Sequence, residues 1–230
     1  MSWTLPRLVI PLILILCAAA CPALAQGNAK AGFTRPPPGA RIVLMPMDVE
    51  LFSISAGGIL EPRAEWTQAA VRHLKDAYLG RKESLKVDFS ELDDAPDETI
   101  EDLNRLHGAV GAAINLHHLG MFKLPTKEGR LDWSLGSDVS ALKARTGADY
   151  ALFTFVRDSY ATGERVAAMV VAALFGVGLG GGMQAAYVSL VDLGSGDIVW
   201  FNRLIRASGD LREAAKAAET LDALLSGFPK

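Results

Sequence analysis

The chain has 230 residues, of which 50% are apolar and 21% are charged, and its formal net charge is −3. This length and composition predict a single domain with a sizeable core, and they exclude a chain that is disordered throughout. The small net charge and the lack of a dense Lys/Arg cluster exclude the electrostatic footprint of a nucleic-acid-binding protein.

The amino terminus, residues 1–25, has the pattern of a secretory signal peptide. Arg7 precedes an uninterrupted apolar stretch over residues 8–20, and Ala23 and Ala25 then form a small-x-small cleavage site. Signal cleavage is therefore predicted after Ala25. The stretch is short for a membrane anchor, and an uncleaved membrane helix is the alternative. Both interpretations predict an exported protein, periplasmic in the first case and membrane-anchored in the second.

Both cysteines, Cys17 and Cys21, lie in this leader, so cleavage after Ala25 leaves a chain without a thiol. We then expect no disulfide framework, no catalytic cysteine and no cysteine-ligated metal. Cys21 follows three alanines, as in lipoprotein processing sites, although Ala18 stands where leucine is usual. Lipidation of Cys21 is therefore the alternative to cleavage after Ala25, and it would tether the domain to a membrane face.

Residues 26–40 have the composition of a linker, and residues 41–230 that of one folded domain. The first segment combines Gly, Pro and polar residues without an apolar period, and three successive prolines at 36–38 stiffen it. The run from Arg41 to Leu51 is apolar and rich in strand formers, which predicts a buried first strand.

Periodicity predicts the next elements as helix, strand and helix. Apolar residues recur every fourth position over 64–80, and Gly80 ends that helix. The alternation of Leu85, Val87 and Phe89 with polar neighbours predicts a half-buried strand. A long helix follows, which begins among acidic residues and Pro96 and ends at Gly120.

The second half predicts a short helix that ends at Gly147, a strong strand over 149–160, a hairpin and a final helix. Gly and Asp in the turn at 194–197 separate the two β-rich runs of the hairpin. We predict an α/β (α+β) fold with a mixed sheet of about five strands flanked by helices, with an apolar Gly-rich insertion at 164–184 before the C-terminal hairpin and final helix. The predicted apolar side of the last helix comprises Leu211, Ala215, Ala218, Leu221 and Leu225.

The segments GADYALFTFVRDS and VSLVDLGSGDIVWFNRL, with the closing helix, resemble a group of bacterial envelope proteins. This group includes the curli-export lipoprotein, the penicillin-binding-protein activator lipoproteins and the amino-terminal domain of the Tol translocation protein. The resemblance covers about Gly147 to Phe228, and Ser195 stands where the group's hairpin usually has threonine. It implies a role in envelope assembly, activation or export rather than catalysis.

The Gly-rich insertion has the spacing of a dinucleotide-binding motif over residues 176–181, but not its context. That motif needs a strand before it and a helix after it, and here an alanine-rich helical run precedes a strand. We therefore expect no nucleotide and no other cofactor.

The insertion favours a contact surface instead. No charge occurs from Val166 to Val191, and small residues recur every fourth position. A helix over 166–183 would be only about 27 Å long, marginal for a hydrocarbon core of about 30 Å. We predict a helix over about 166–175 that ends in a Gly turn and packs within the domain, on another subunit or on a membrane surface. The candidate contact residues are Ala168, Ala172, Gly176, Gly180 and Phe175.

The remaining polar residues predict neither a catalytic nor a metal site. His117 and His118 are adjacent, so they point apart on a helix, and all four histidines are interpreted as helix-surface residues. The sequence thus predicts a non-enzymatic envelope protein whose partner is another envelope protein, its own subunits or a membrane surface. One alternative is a periplasmic hydrolase in which Asp102, His107 or His117 converge. The other is an integral-membrane component that crosses at 166–183.

Overall fold

The computed structural model describes residues 28–85, 87–92 and 97–230, so Cys21 and the predicted cleavage site at Ala25 lie outside the described residues. The strands are β1 (Asn28–Ala29), β2 (Arg41–Leu44), β3 (Asp48–Ile54), β4 (Leu60–Pro62), β5 (Asp88–Glu91), β6 (Tyr150–Ala161), β7 (Gln184–Asp192) and β8 (Ile198–Arg206). The helices are α1 (Ala64–Leu79), α2 (Lys82–Leu85), α3 (Glu98–His117), α4 (Ser140–Thr146), α5 (Gly163–Leu174) and α6 (Ala214–Leu224).

All eight described strands belong to one mixed sheet, which confirms the predicted fold class. The order is β1-β8-β7-β6-β2-β5, with β3 also paired to β6 and β4 paired to β3. The long strand β6 is central, because it pairs in parallel with β2 and β3 on one side and antiparallel with β7 on the other. β7 and β8 form the predicted hairpin.

The single strand predicted from Arg41 to Leu51 is interrupted by a bulge. Ile42 lies opposite Tyr150 and Asp48 lies opposite Phe155, so this chain advances six residues while β6 advances five. The extra residue falls beside Pro46, which has no N–H group to donate to a ladder. β2 and β3 therefore run along β6 in succession, and this division is one reason why the sheet has more strands than predicted.

Alternation along β6 divides the core into two layers. Leu152 and Val156 face α1 and α6, whereas Ala151 and Phe153 face α3 and α4. The hairpin repeats this division, because adjacent residues of β8 enter opposite layers. Trp200 packs against the Phe228 ring at 5.2 Å on the first side, and Phe201 is buried on the second.

The amino-terminal part of the described chain contacts the domain. Asn28 and Ala29 pair with β8, and the Phe33 ring lies 6.1 Å from that of Tyr150. A second departure from the predicted elements concerns Leu85, which ends the short helix α2 instead of starting a strand.

Candidate contact surface

The insertion forms a protruding element that we call the apolar arm, residues 163–183. It consists of α5 and a return segment without regular secondary structure that leads into β7. The Thr162 hydroxyl caps the start of α5 by accepting the Arg165 N–H at 3.2 Å. The helix ends after Leu174, where Gly176 adopts a φ of 74° that glycine accommodates without strain.

Most of the large apolar residues of α5 face away from the domain. No residue of this helix is buried. A half-buried stripe at helical spacing contains Arg165, Ala168, Met169 and Ala172, and it forms the inner face. The opposite face is apolar and between 48 and 81% exposed. A surface helix normally buries its apolar face, and α5 reverses this pattern. The outer face comprises Val166, Val170, Val171, Leu174 and Phe175.

Polar contacts at its base hold the arm to the domain. The Arg165 guanidinium donates to the Gly180 carbonyl from Nε and Nη2, both at 3.2 Å, and to the Ala56 carbonyl from Nη1 at 3.2 Å. The Ala161 N–H donates to the Gly181 carbonyl at 2.9 Å. All three of the Arg165 hydrogen bonds are accepted by backbone carbonyl oxygens. Arg165 thus links α5, the return segment and the turn between β3 and β4.

A buried polar network fixes the two strands from which the arm projects. Asp158 accepts hydrogen bonds from the Tyr160 hydroxyl and from the Gln184 amide, each at 2.6 Å. Arg206 Nε donates to the Gln184 side-chain oxygen, Oε1, at 2.9 Å. The Leu211 N–H donates to the Tyr160 hydroxyl at 2.8 Å. Burial and the neighbouring Asp158 raise the pKa of Tyr160 well above its usual value, so the hydroxyl remains a neutral donor.

Exposed apolar side chains concentrate at the end of the sheet that carries the arm. Ten of the fifteen exposed large apolar residues in the described part of the chain lie in the arm or beside it. Ile59 and Leu60 follow the β3–β4 turn that Arg165 contacts, and Ile205 lies opposite Ala185 near the start of β7. We call this end of the sheet, with the arm, the apolar end. Single exposed apolar residues are ordinary, but a contiguous set marks a contact surface.

The structure separates the five predicted contact residues into two groups. Ala168 and Ala172 lie on the half-buried inner stripe of α5. Phe175, Gly176 and Gly180 are exposed, and Phe175 is 81% exposed at the tip of the arm. Small residues were expected to form the contact, but valines form much of the exposed outer face. The helical spacing of these valines opposite the small residues was the available signal.

The polar residues of the hydrolase alternative do not come together. His107 is buried, with Nε2 2.8 Å from the Ser189 hydroxyl, and burial lowers the pKa of His107 to about 3. Asp102 is exposed beside Arg105 and lines an open cavity of about 440 Å³ whose lining includes neither His107 nor His117. His117 bonds the Phe122 carbonyl through Nδ1 at 2.7 Å.

Two histidines and the crossing helix require correction. The interpretation of all four histidines as surface residues is wrong for His107 and His118, which are 1 and 8% exposed. The alternative of a helix that crosses at 166–183 is also wrong, because α5 ends at Leu174 and residues 177–183 form no helix. In the ranges 28–85, 87–92 and 97–230, no helix has the length and apolar character needed to cross a membrane. The same ranges hold no cluster of His, Cys, Asp and Glu suited to a metal ion.

Comparison with known proteins gives no family. No protein-family profile and no curated protein matches the chain. Among solved structures, a PelC dodecamer from Paraburkholderia phytofirmans is similar over 90% of this chain and 98% of that one, with 11% identity and a TM-score of 0.40. The LpoB C-terminal domain from Salmonella enterica has 14% identity and a TM-score of 0.31, with 77% of this chain and 87% of that one covered.

A third similar structure is lipoprotein GNA1162 from Neisseria meningitidis, with 13% identity and a TM-score of 0.33. The similarity covers 81% of this chain and 94% of that one. At such identities and scores, these structures assign neither a family nor an activity to this chain.

Proposed function

We propose that this protein is a non-enzymatic component of the bacterial envelope and acts by contact through its apolar end. The outward-facing apolar face of α5 carries this proposal. Leaving such a face in water is unfavourable by about 25 cal/mol per Å² of apolar surface, so the arm gains stability from a partner. The leader sequence and the resemblance to envelope lipoproteins support a site of action outside the cytoplasm.

The test compares the chain from Gln26 to Lys230 with a variant that lacks most of the arm. Because Ala161 N–H bonds the Gly181 carbonyl, residues 162–180 can be replaced by Asn-Gly, a two-residue hairpin turn. We expect the parent to associate with envelope membranes or with itself, and the variant to keep its circular dichroism spectrum while it loses that association. If both chains are equally monomeric and equally free of membranes, the proposal fails.

The substituted variant Val171→Ser/Leu174→Ser/Phe175→Ser provides a second test with the arm in place. All three side chains are exposed, so their replacement should leave the fold intact. A matched control, Leu116→Ser/Phe122→Ser, removes exposed apolar side chains at the end of α3. The proposal requires that the arm substitutions, and not the control, reduce association.

A further inference from the structure

We infer that the partner of the apolar end is the surface of a lipid bilayer, on which the arm lies at shallow depth. This inference rests on the proposed function and names the partner of the same surface. It follows from the chemistry of the arm's outer face, from the length of the arm, and from the direction in which the chain enters the sheet.

The outer face of the arm matches lipid better than it matches a protein. The chain has no Asp, Glu, Lys or Arg from Val166 to Val191. Protein interfaces surround their apolar centre with a rim of hydrogen-bonding groups, whereas the exposed side chains of α5 from Val166 to Phe175 are all Val, Leu, Phe or Ala. A lipid surface requires neither hydrogen bonds nor a complementary shape from such a face.

The dimensions of the arm limit how deeply it enters the bilayer. The twelve residues of α5 measure about 18 Å at 1.5 Å per residue, well short of a hydrocarbon core of about 30 Å. The return segment has no regular secondary structure, and backbone polar groups without partners are strongly disfavoured in hydrocarbon. We therefore place the helix in the interfacial layer, where amphipathic helices bury their apolar face by about 5–10 Å.

The register of β1 brings the amino-terminal segment to the same end of the sheet. Asn28 lies opposite Phe201 and Ala29 opposite Trp200, so the chain enters β1 from the end where Arg206 lies. Arg206 pairs with Gln184, the first residue of β7 after the arm. The step from Phe201 to Arg206 is about 17 Å.

The amino-terminal segment is long enough to reach that end. The seven residues from Cys21 to Asn28 span at most about 24 Å, which exceeds the step of about 17 Å along the sheet. The two alternatives to cleavage after Ala25, a lipid on Cys21 or an uncleaved helix, would therefore each be able to meet the bilayer at the apolar end. A single lipid anchor is weak, so a lipid on Cys21 and the arm at one end of the sheet would reinforce each other.

The experiment uses vesicles of phosphatidylcholine and phosphatidylethanolamine and the chain from Gln26, which contains every described element and no cysteine. A Phe175→Cys variant carries an environment-sensitive fluorophore at the tip of the arm. The matched label is Ser195→Cys, in the β7–β8 turn at the far end of the same sheet. We expect vesicles to increase the emission of the Phe175→Cys label only, and we expect the change to persist at high salt because the arm carries no charge from Val166 to Met183.

Flotation then measures the affinity for the same vesicles. Val171→Ser/Leu174→Ser/Phe175→Ser should lower the partition coefficient by about 100-fold or more, and Leu116→Ser/Phe122→Ser should leave it unchanged. Equal flotation of both variants, or a label at position 175 that does not respond, overturns the lipid inference. Self-association in sedimentation without vesicle binding would also overturn it, and the contact function would survive. Absence of both associations would remove both proposals.

Discussion

Gly111 is a position where one methyl group should strongly destabilise the fold. It lies in α3 against the second layer of the core. A Cβ at this position would lie 2.1 Å from Cε2 and 2.6 Å from Cζ of Tyr187. The Tyr187 ring has little room to yield, because it stacks on Phe155 at 4.5 Å and its hydroxyl donates to the Gly108 carbonyl at 2.6 Å.

We expect Gly111→Ala to lower the free energy of unfolding by about 2 kcal/mol. Overpacking a close-packed core destabilises by about 1–3 kcal/mol, and more where the backbone must move. The higher helix propensity of alanine offsets about 1 kcal/mol of this loss. The distance of 2.1 Å between the new Cβ and Tyr187 Cε2 is far below any van der Waals separation. We therefore place the destabilisation from overpacking at about 3 kcal/mol or more.

Urea denaturation followed by circular dichroism measures this loss, and a thermal scan should show a decrease of about 4–8 °C in Tm for a domain of this size. The control is Gly108→Ala in the same helix, where the new Cβ would lie 3.7 Å from the Phe155 ring. That control should stabilise the protein by about 0.5–1 kcal/mol. If Gly111→Ala is as stable as the parent or the control, the close approach of α3 to Tyr187 is refuted.

Three further predictions concern titration, the buried network and the arm. Burial holds the pKa of His107 near 3, so between about pH 6.5 and pH 3 the imidazole is protonated in the unfolded chain and neutral in the folded one. The free energy of unfolding should therefore fall by about 1.4 kcal/mol for each pH unit between these values as the pH is lowered. His107→Gln should remove this contribution to the pH dependence of the free energy of unfolding, measured by urea titrations at several pH values. An unchanged pH dependence would contradict the prediction. Tyr160→Phe deprives Asp158 of one donor and should lower the free energy of unfolding by about 2 kcal/mol, and a loss below about 0.5 kcal/mol would argue against the network. Arg165→Ala frees the return segment at Gly180, so limited proteolysis there should accelerate at least about fivefold while global stability changes little; equal cleavage rates would speak against the anchoring role.

Local signals identified most elements, because they depend on neighbours in the chain. The strong strand pattern over residues 149–160 and the glycines of the 194–197 turn predicted β6 and the hairpin, and all three strands are present. The final helix shows the limit of such signals. Its buried stripe contains Ala217, Thr220, Leu221 and Leu224, whereas the predicted side included Ala215, which is exposed. Propensity located this helix, but packing against α1 and the sheet selected its inner face.

For the candidate site, the amino-acid sequence was enough to predict an uncharged helix that ends at glycine between two strands of one sheet. Composition, spacing and turn chemistry suffice for that conclusion, since they act over a few residues. The contacts that hold one side of α5 inward follow from the fold, because Arg165 reaches carbonyl groups at Ala56 and Gly180 that are distant in sequence. The tertiary structure likewise decided that the arm and the entry of the chain into β1 share one end of the sheet, since strand register is set by long-range pairing.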